Sequence, residues 1–94
     1  MTEKEIRDAL KGYGATDVRV YFRVAPNPFE KFMVNCIVRF NLTNAYEARF
    51  WDIEPRHWEV WMRNRSVVNS NSTPSDYSKA REIEQELNRI EGLT

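Results

Sequence analysis

The chain has 94 residues, with 14 Lys plus Arg against 14 Asp plus Glu, one His and one Cys. This length fits one small domain over residues 1–94, whose core has to be economical: a chain this short buries only roughly 60–65% of the surface it exposes when unfolded. Zero net charge gives no bulk attraction to nucleic acid or acidic membranes, a hydrophobic share of 41% with 13% aromatics excludes a disordered polar chain, and a single Cys excludes an internal disulfide framework or a Cys-based zinc cluster.

The N-terminus shows no apolar segment behind a basic start, so no secretory signal is expected. No apolar run approaches the roughly 20 residues needed to span a bilayer. The expectation is a cytoplasmic protein whose Cys36 is reduced.

The first predicted element is a helix from about Thr2 to Lys11. Thr2 and Glu5 have capping-box spacing, and Ile6, Ala9, Leu10 and Tyr13 share one face. Gly12 and Gly14 end it. From Asp17 to Val24 the chain alternates, with Val18, Val20, Phe22 and Val24 on one side and Asp17, Arg19, Tyr21 and Arg23 on the other. Pro26 and Pro28 break this strand.

Lys31 to Thr43 carries the strongest signal. Phe32, Val34, Cys36, Val38, Phe40 and Leu42 alternate without a miss, which predicts a long strand with one face in the core. Thr43-Asn44 reads as a tight turn. A third strand follows from about Ala45 to Ile53, with Tyr46, Ala48 and Phe50 on one side and Glu47, Arg49 and Trp51 on the other. His57 to Arg65 fits a strand with Trp58, Val60 and Met62 inward, and also fits a helix beginning near Pro55; the regular alternation and the β-favouring Trp and Val favour the strand. Residues 69–75 form a polar loop expected to be mobile. Thr73, Pro74 and Asp76 then suit the N-cap, first and third positions of a helix. Ala80, Ile83, Leu87 and Ile90 line its inner face, and Gly92 ends it.

The expected fold class is therefore α+β. A single antiparallel sheet of three to four strands is flanked in sequence by an N-terminal and a C-terminal helix, both packed on one face.

The zero charge is unevenly spread. Asp17 to Arg65 holds seven Arg and one Lys against six acids, a net of +2, and the stretch from Ser66 onward holds three basic and five acidic residues, a net of −2. Ten of the basic residues are Arg and four are Lys, and Arg suits stacking and bidentate pairing. If both helices cover one sheet face, alternation displays Arg19, Tyr21, Arg23, Met33, Ile37, Arg39, Arg49, Trp51, Trp61 and Arg63 on the other, with His57 and Glu59. Arg and large aromatics together resemble interaction hot spots. The candidate partner-binding residues are Tyr21, Arg23, Arg39, Arg49, Trp51, Trp61 and Arg63. The competing reading is cross-strand pairing that only stabilises the sheet. A β-bulge would also move residues to the opposite face.

Candidate chemistry is sparse. Asp52, Glu54, His57 and Glu59 lie close in sequence and could supply metal ligands, but alternation sends Asp52 and Glu54 to one side of their strand and a proline turn intervenes. Cys36 falls on the core face, where a thiol is inert. No Ser-His-Asp signature, phosphate-binding loop, dinucleotide fingerprint or His-Glu-x-x-His is present. No catalytic residue, cofactor or metal is expected.

The order helix–strand–strand–strand–helix resembles the double-stranded-RNA-binding domain, and Ala25 to Phe32 resembles that family's first hairpin loop. The resemblance implies shared topology. The chain departs from that family where its last helix would carry a phosphate-gripping lysine cluster: Ser75 to Glu82 has Asp76, Lys79, Arg81 and Glu82 instead. The stretch from Glu54 to Ser72 is also extra.

The functional expectation is a non-enzymatic module that binds another protein through its open sheet face. A small inhibitor or adaptor, of the kind mobile elements direct against host defence, has this profile. Self-association to a homodimer through the same face is one form of it. The alternative is single-stranded nucleic acid or RNA on the same face, with bases stacked on Trp51, Trp61 and Tyr21. A second alternative is a small metal-dependent enzyme.

Overall fold

A computed structural model describes residues 1–23, 27–28, 33–63 and 74–93. The elements run α1 (Glu3–Gly12), β1 (Thr16–Phe22), β2 (Val34–Asn41), β3 (Ala45–Trp51), β4 (His57–Met62) and α2 (Pro74–Glu91). The strands form one antiparallel sheet in the order β1-β2-β3-β4. The fold is thus α+β with a four-stranded sheet, and residues 57–62 are a strand. Among the described residues, no helix is long and apolar enough to cross a membrane.

The capping box of α1 is complete: the Glu5 N–H donates to the Thr2 hydroxyl at 3.2 Å, and the Thr2 N–H donates to the Glu5 carboxylate at 2.8 Å. The helix stops where Gly14 takes φ +81°. Ile6 and Leu10 of α1 meet Ala80, Ile83 and Leu87 of α2 in one core. The sheet contributes Cys36, Val38, Phe40, Tyr46, Ala48, Phe50, Trp58, Val60 and Met62 to the same core. Both helices therefore cover the face that alternation assigned to the interior. The cross-strand neighbours Phe40 and Tyr46 stack there, 5.5 Å between centroids.

The β2–β3 turn spans three residues, Leu42 to Asn44, where Thr43-Asn44 suggested two. The Leu42 N–H donates to the Asn44 carbonyl, so the turn centres on Thr43. This register puts Phe40 opposite Tyr46 and Arg39 opposite Glu47.

Two expectations for the inner face change. The register shifts between Val34 and Cys36, which sets Val34 opposite Trp51 on the outer face. Val34 is buried but lies outside the core cluster. Phe22 keeps the inner register opposite Cys36, yet it is 43% exposed at the end of an edge strand. A second shift, between Thr16 and Arg19, accompanies a left-handed Asp17 (φ 51°). The expected contributions of Val24 and Phe32 lie outside the described residues, as does the Thr73 N-cap. The expected loop over 69–75 does too, apart from positions 74 and 75, where α2 begins.

Helix α2 is fastened along the outer edge of β4. The Asn88 side chain accepts from the Trp58 N–H at 2.7 Å and donates to the Trp58 carbonyl at 3.3 Å. Glu84 accepts from the Val60 N–H at 3.0 Å. The Trp58 indole N–H donates to Glu91, which also pairs with the N-terminal ammonium group at 3.2 Å. At the helix start, the Tyr46 hydroxyl donates to the Asp76 carbonyl at 3.0 Å and Thr43 donates to its carboxylate at 2.8 Å. An unpaired sheet edge is thereby closed by side chains instead of another strand. Asn88→Ala is expected to cost about 1–2 kcal/mol, because two hydrogen bonds to the Trp58 backbone are lost. Asn88→Asp, which keeps the acceptor but sets a carboxylate oxygen against the Trp58 carbonyl in place of the donor, is expected to cost at least as much. Denaturant unfolding of the three proteins measures both.

Candidate functional site: the outer face of the sheet

Each strand contributes alternate residues to the outer face, and the register assembles them into rows. Arg19, Arg39, Glu47 and Trp61 form one row. Tyr21, Ile37, Arg49 and Glu59 form the next, followed by Val34, Trp51 and His57. No described helix or strand lies over these rows. Five of the seven predicted site residues, Arg39, Arg49, Trp51, Trp61 and Arg63, line one open depression of about 370 Å³ together with Glu47, Glu59 and Met62.

Tyr21 and Arg23 do not reach it. Tyr21 stands on β1, three strands away from β4, roughly 14 Å at normal strand spacing. Arg23 follows the end of β1 with a left-handed backbone (φ 57°).

Two carboxylates that sequence reasoning left out of the site organise it. Glu47 is only 8% exposed. It accepts from Arg39 Nε at 3.0 Å through one oxygen and from Arg49 Nε at 2.8 Å through the other. Burial alone would push its carboxyl upward, but the hydrogen bonds and charges of Arg49 and Arg39 outweigh this and hold it below the usual carboxylate range. Arg39 and Arg49, expected to meet a partner's carboxylates, are therefore engaged within the chain.

Glu59 performs the equivalent task for the aromatic residues. One of its oxygens accepts from the Trp51 indole N–H at 3.0 Å and from the Trp61 indole N–H at 3.4 Å. The other lies 3.0 Å from His57 Nε2. One carboxylate thus fixes the polar ends of both indoles, which leaves their apolar surfaces for contact. Trp61 is 54% exposed, and Trp51 is half-buried. The signal for Glu47 was its spacing of two from Arg49, and Glu59 likewise sits two residues from both His57 and Trp61. Alternation puts each of these sets on one face.

The candidate chemical residues disperse. Asp52 pairs with Arg56 at 2.7 Å, and His57 turns to Glu59. Among the described residues, no three His, Cys, Asp or Glu side chains come close enough to hold a metal ion. Cys36 is buried among the core side chains, and desolvation pushes its thiol up to about 12, so it stays protonated at neutral pH. The chain matches no protein-family model, no curated protein and no solved structure.

The hydrogen bond to Glu59 raises the imidazole of His57 above its ordinary value of 6.5, against a smaller opposing effect of burial. A group raised in the folded state adds stability below its unfolded value, and that stability is lost as pH rises through the folded value. His57→Gln is therefore expected to be less stable than the parent below about pH 6.5. The gap closes as pH rises past the folded value. Thermal unfolding of both proteins across pH 5 to 9 measures this, and a gap that widens toward high pH contradicts it.

Proposed function

We propose that this domain acts by binding another protein through its outer sheet face, without catalysis. The contact surface is the depression around Trp51, Trp61, Arg39, Arg49 and Arg63. The observation that carries this reading is the state of Trp61: its ring is more than half exposed, it stands on a strand, and Glu59 already satisfies its N–H. A ring ordered in advance loses little freedom on docking. Trp and Arg also dominate the energetics of contact surfaces.

The electrostatics support short-range recognition. Glu47 pairs with both Arg39 and Arg49 and offsets one of their two charges, so these side chains supply flat stacking surface more than attraction at a distance. Arg63 has no ion-pair partner among the described residues and is available to an acidic group. The surface suits a partner that sets an apolar side chain against Trp61 and a carboxylate near Arg63. A small inhibitor or adaptor works in this way. Nucleic acid suits the face less well, because Glu47 and Glu59 set two carboxylates among the arginines, where they oppose the approach of phosphates.

The test is affinity recovery of the tagged protein from its native host, with and without nuclease, for the parent and for Trp61→Ala. The expected result is a protein partner retained after nuclease treatment, with its recovery falling at least about tenfold in the variant. The variant's own unfolding free energy should change by no more than about 1 kcal/mol, the scale of a lost cross-strand contact. Undiminished recovery with Trp61→Ala, or a partner released by nuclease, overturns the reading.

A further inference from the structure

The two edges of the sheet are finished differently. On β4 the outward-facing backbone groups of Trp58 and Val60 are taken up by Asn88 and Glu84. On β1 the outward-facing groups are those of Val18, Val20 and Phe22. This follows from the pairing: the Arg23 N–H donates to the Asn35 carbonyl, and Tyr21 and Arg19 pair with Ile37 and Arg39, so the residues between them point away from β2. Among the described residues, the only group that meets these from the edge side is the Arg7 guanidinium, 2.9 Å from the Val18 carbonyl. Tyr21 and Phe22 beside them are 37% and 43% exposed. A bare edge with exposed aromatics is a template for another strand.

We infer that β1 pairs antiparallel with β1 of a second copy, about a two-fold axis at Val20. The residues of β1 make this strand complementary to itself. Centred on Val20, the pairing sets Arg19 opposite Tyr21 and Val18 opposite Phe22, while Asp17 and Arg23, both left-handed, bound the paired stretch and Asp17 stays paired with Arg19 of its own chain at 3.2 Å. The facing pairs are a cation beside an aromatic ring and an apolar pair, each occurring twice. The neighbouring registers fail. Centring on Arg19 places it opposite its own copy, and centring on Tyr21 places Arg19 opposite Arg23; like charges directly opposite are destabilising. Val20 also presents its N–H and C=O outward, as the central pair requires. The Val18 carbonyl, with two lone pairs, accepts from the second copy without releasing Arg7.

The product is one continuous eight-stranded sheet. Paired residues keep the same face, so both outer faces lie on one side. Tyr21 and Arg23, remote from the depression in one copy, stand at the centre of that surface. This inference concerns the edge of the sheet and does not depend on the proposed partner of its face.

Sedimentation of the purified protein from about 1 μM to about 1 mM tests it, a range that brackets the weak association expected of a single strand pairing. The mass should rise from 11.2 kDa toward twice that value. Hydrogen exchange at the Val20 and Phe22 amides should slow at least about tenfold as concentration rises, while the Trp58 and Val60 amides, already bonded to α2, should not respond. Val20→Pro removes an N–H that makes no bond in the single copy, a substitution an edge strand accepts. It should weaken association at least about tenfold with the far-ultraviolet circular dichroism unchanged. A protein that stays at 11.2 kDa throughout, or a dimer that forms equally well with Val20→Pro, overturns the inference. If the proline variant does not fold, the exchange measurement on the parent decides alone: unchanged Val20 and Phe22 rates overturn it.

Discussion

The attachment of α2 to the outer edge of β4 is the constraint on which the other features rest. Asn88 and Glu84 act as a surrogate strand, satisfying backbone groups that would otherwise face water or another chain. The same attachment brings Ala80, Ile83 and Leu87 over the inner face, where they meet Ile6 and Leu10 of α1. With both helices spent on one side, neither is left to shield the other. Among the described residues, nothing covers the outer face or the β1 edge, and both follow from where the helices lie.

The outer face shows how a chain of zero net charge can still carry a charged surface. Arg39 and Arg49 are held by one acid on the same sheet, and the indoles of Trp51 and Trp61 by another. Glu47 and Glu59 occupy neighbouring strands and adjacent rows, and each ties together side chains from its own strand and from the one beside it. The attraction within part-buried ion pairs of this kind is largely offset by the desolvation of their charges. Their structural effect is to hold long side chains flat. Ile37, which has no helix over it, is 4% exposed between Tyr21 and Arg49 in the register.

Much of the fold was legible because the period-two pattern of β2 is unusually clean. Cys36, Val38 and Phe40 are core residues, as alternation required, and Tyr46, Ala48, Phe50, Trp58, Val60 and Met62 follow from the same rule on β3 and β4. The capping box of α1 was legible because it is local: two residues three positions apart decide it. Bulges were not legible. A shift of one residue depends on what the neighbouring strand offers, and it moved Val34 to the outer face although its sequence context is uninterrupted. Edge exposure was equally hidden: Phe22 has the pattern of a core residue but lies beyond the cover of the helices.

The site divides along the same line. The sequence by itself determined which side chains share a face, because alternation within a strand is a property of the backbone. It thereby placed Arg39, Arg49, Trp51, Trp61 and Arg63 together on the outer side. Only the tertiary structure decided how far apart they lie and what each one touches, since both depend on register between strands. A turn centred on Thr43 brings Glu47 opposite Arg39, and the pairing of β3 with β4 carries Trp51 to Glu59. Tyr21 stands three strands from β4, and Arg23 lies past the end of β1 with a left-handed backbone. The strand order repeats the chain order; what no local pattern encodes is the register between strands, because it depends on what the neighbouring strand offers.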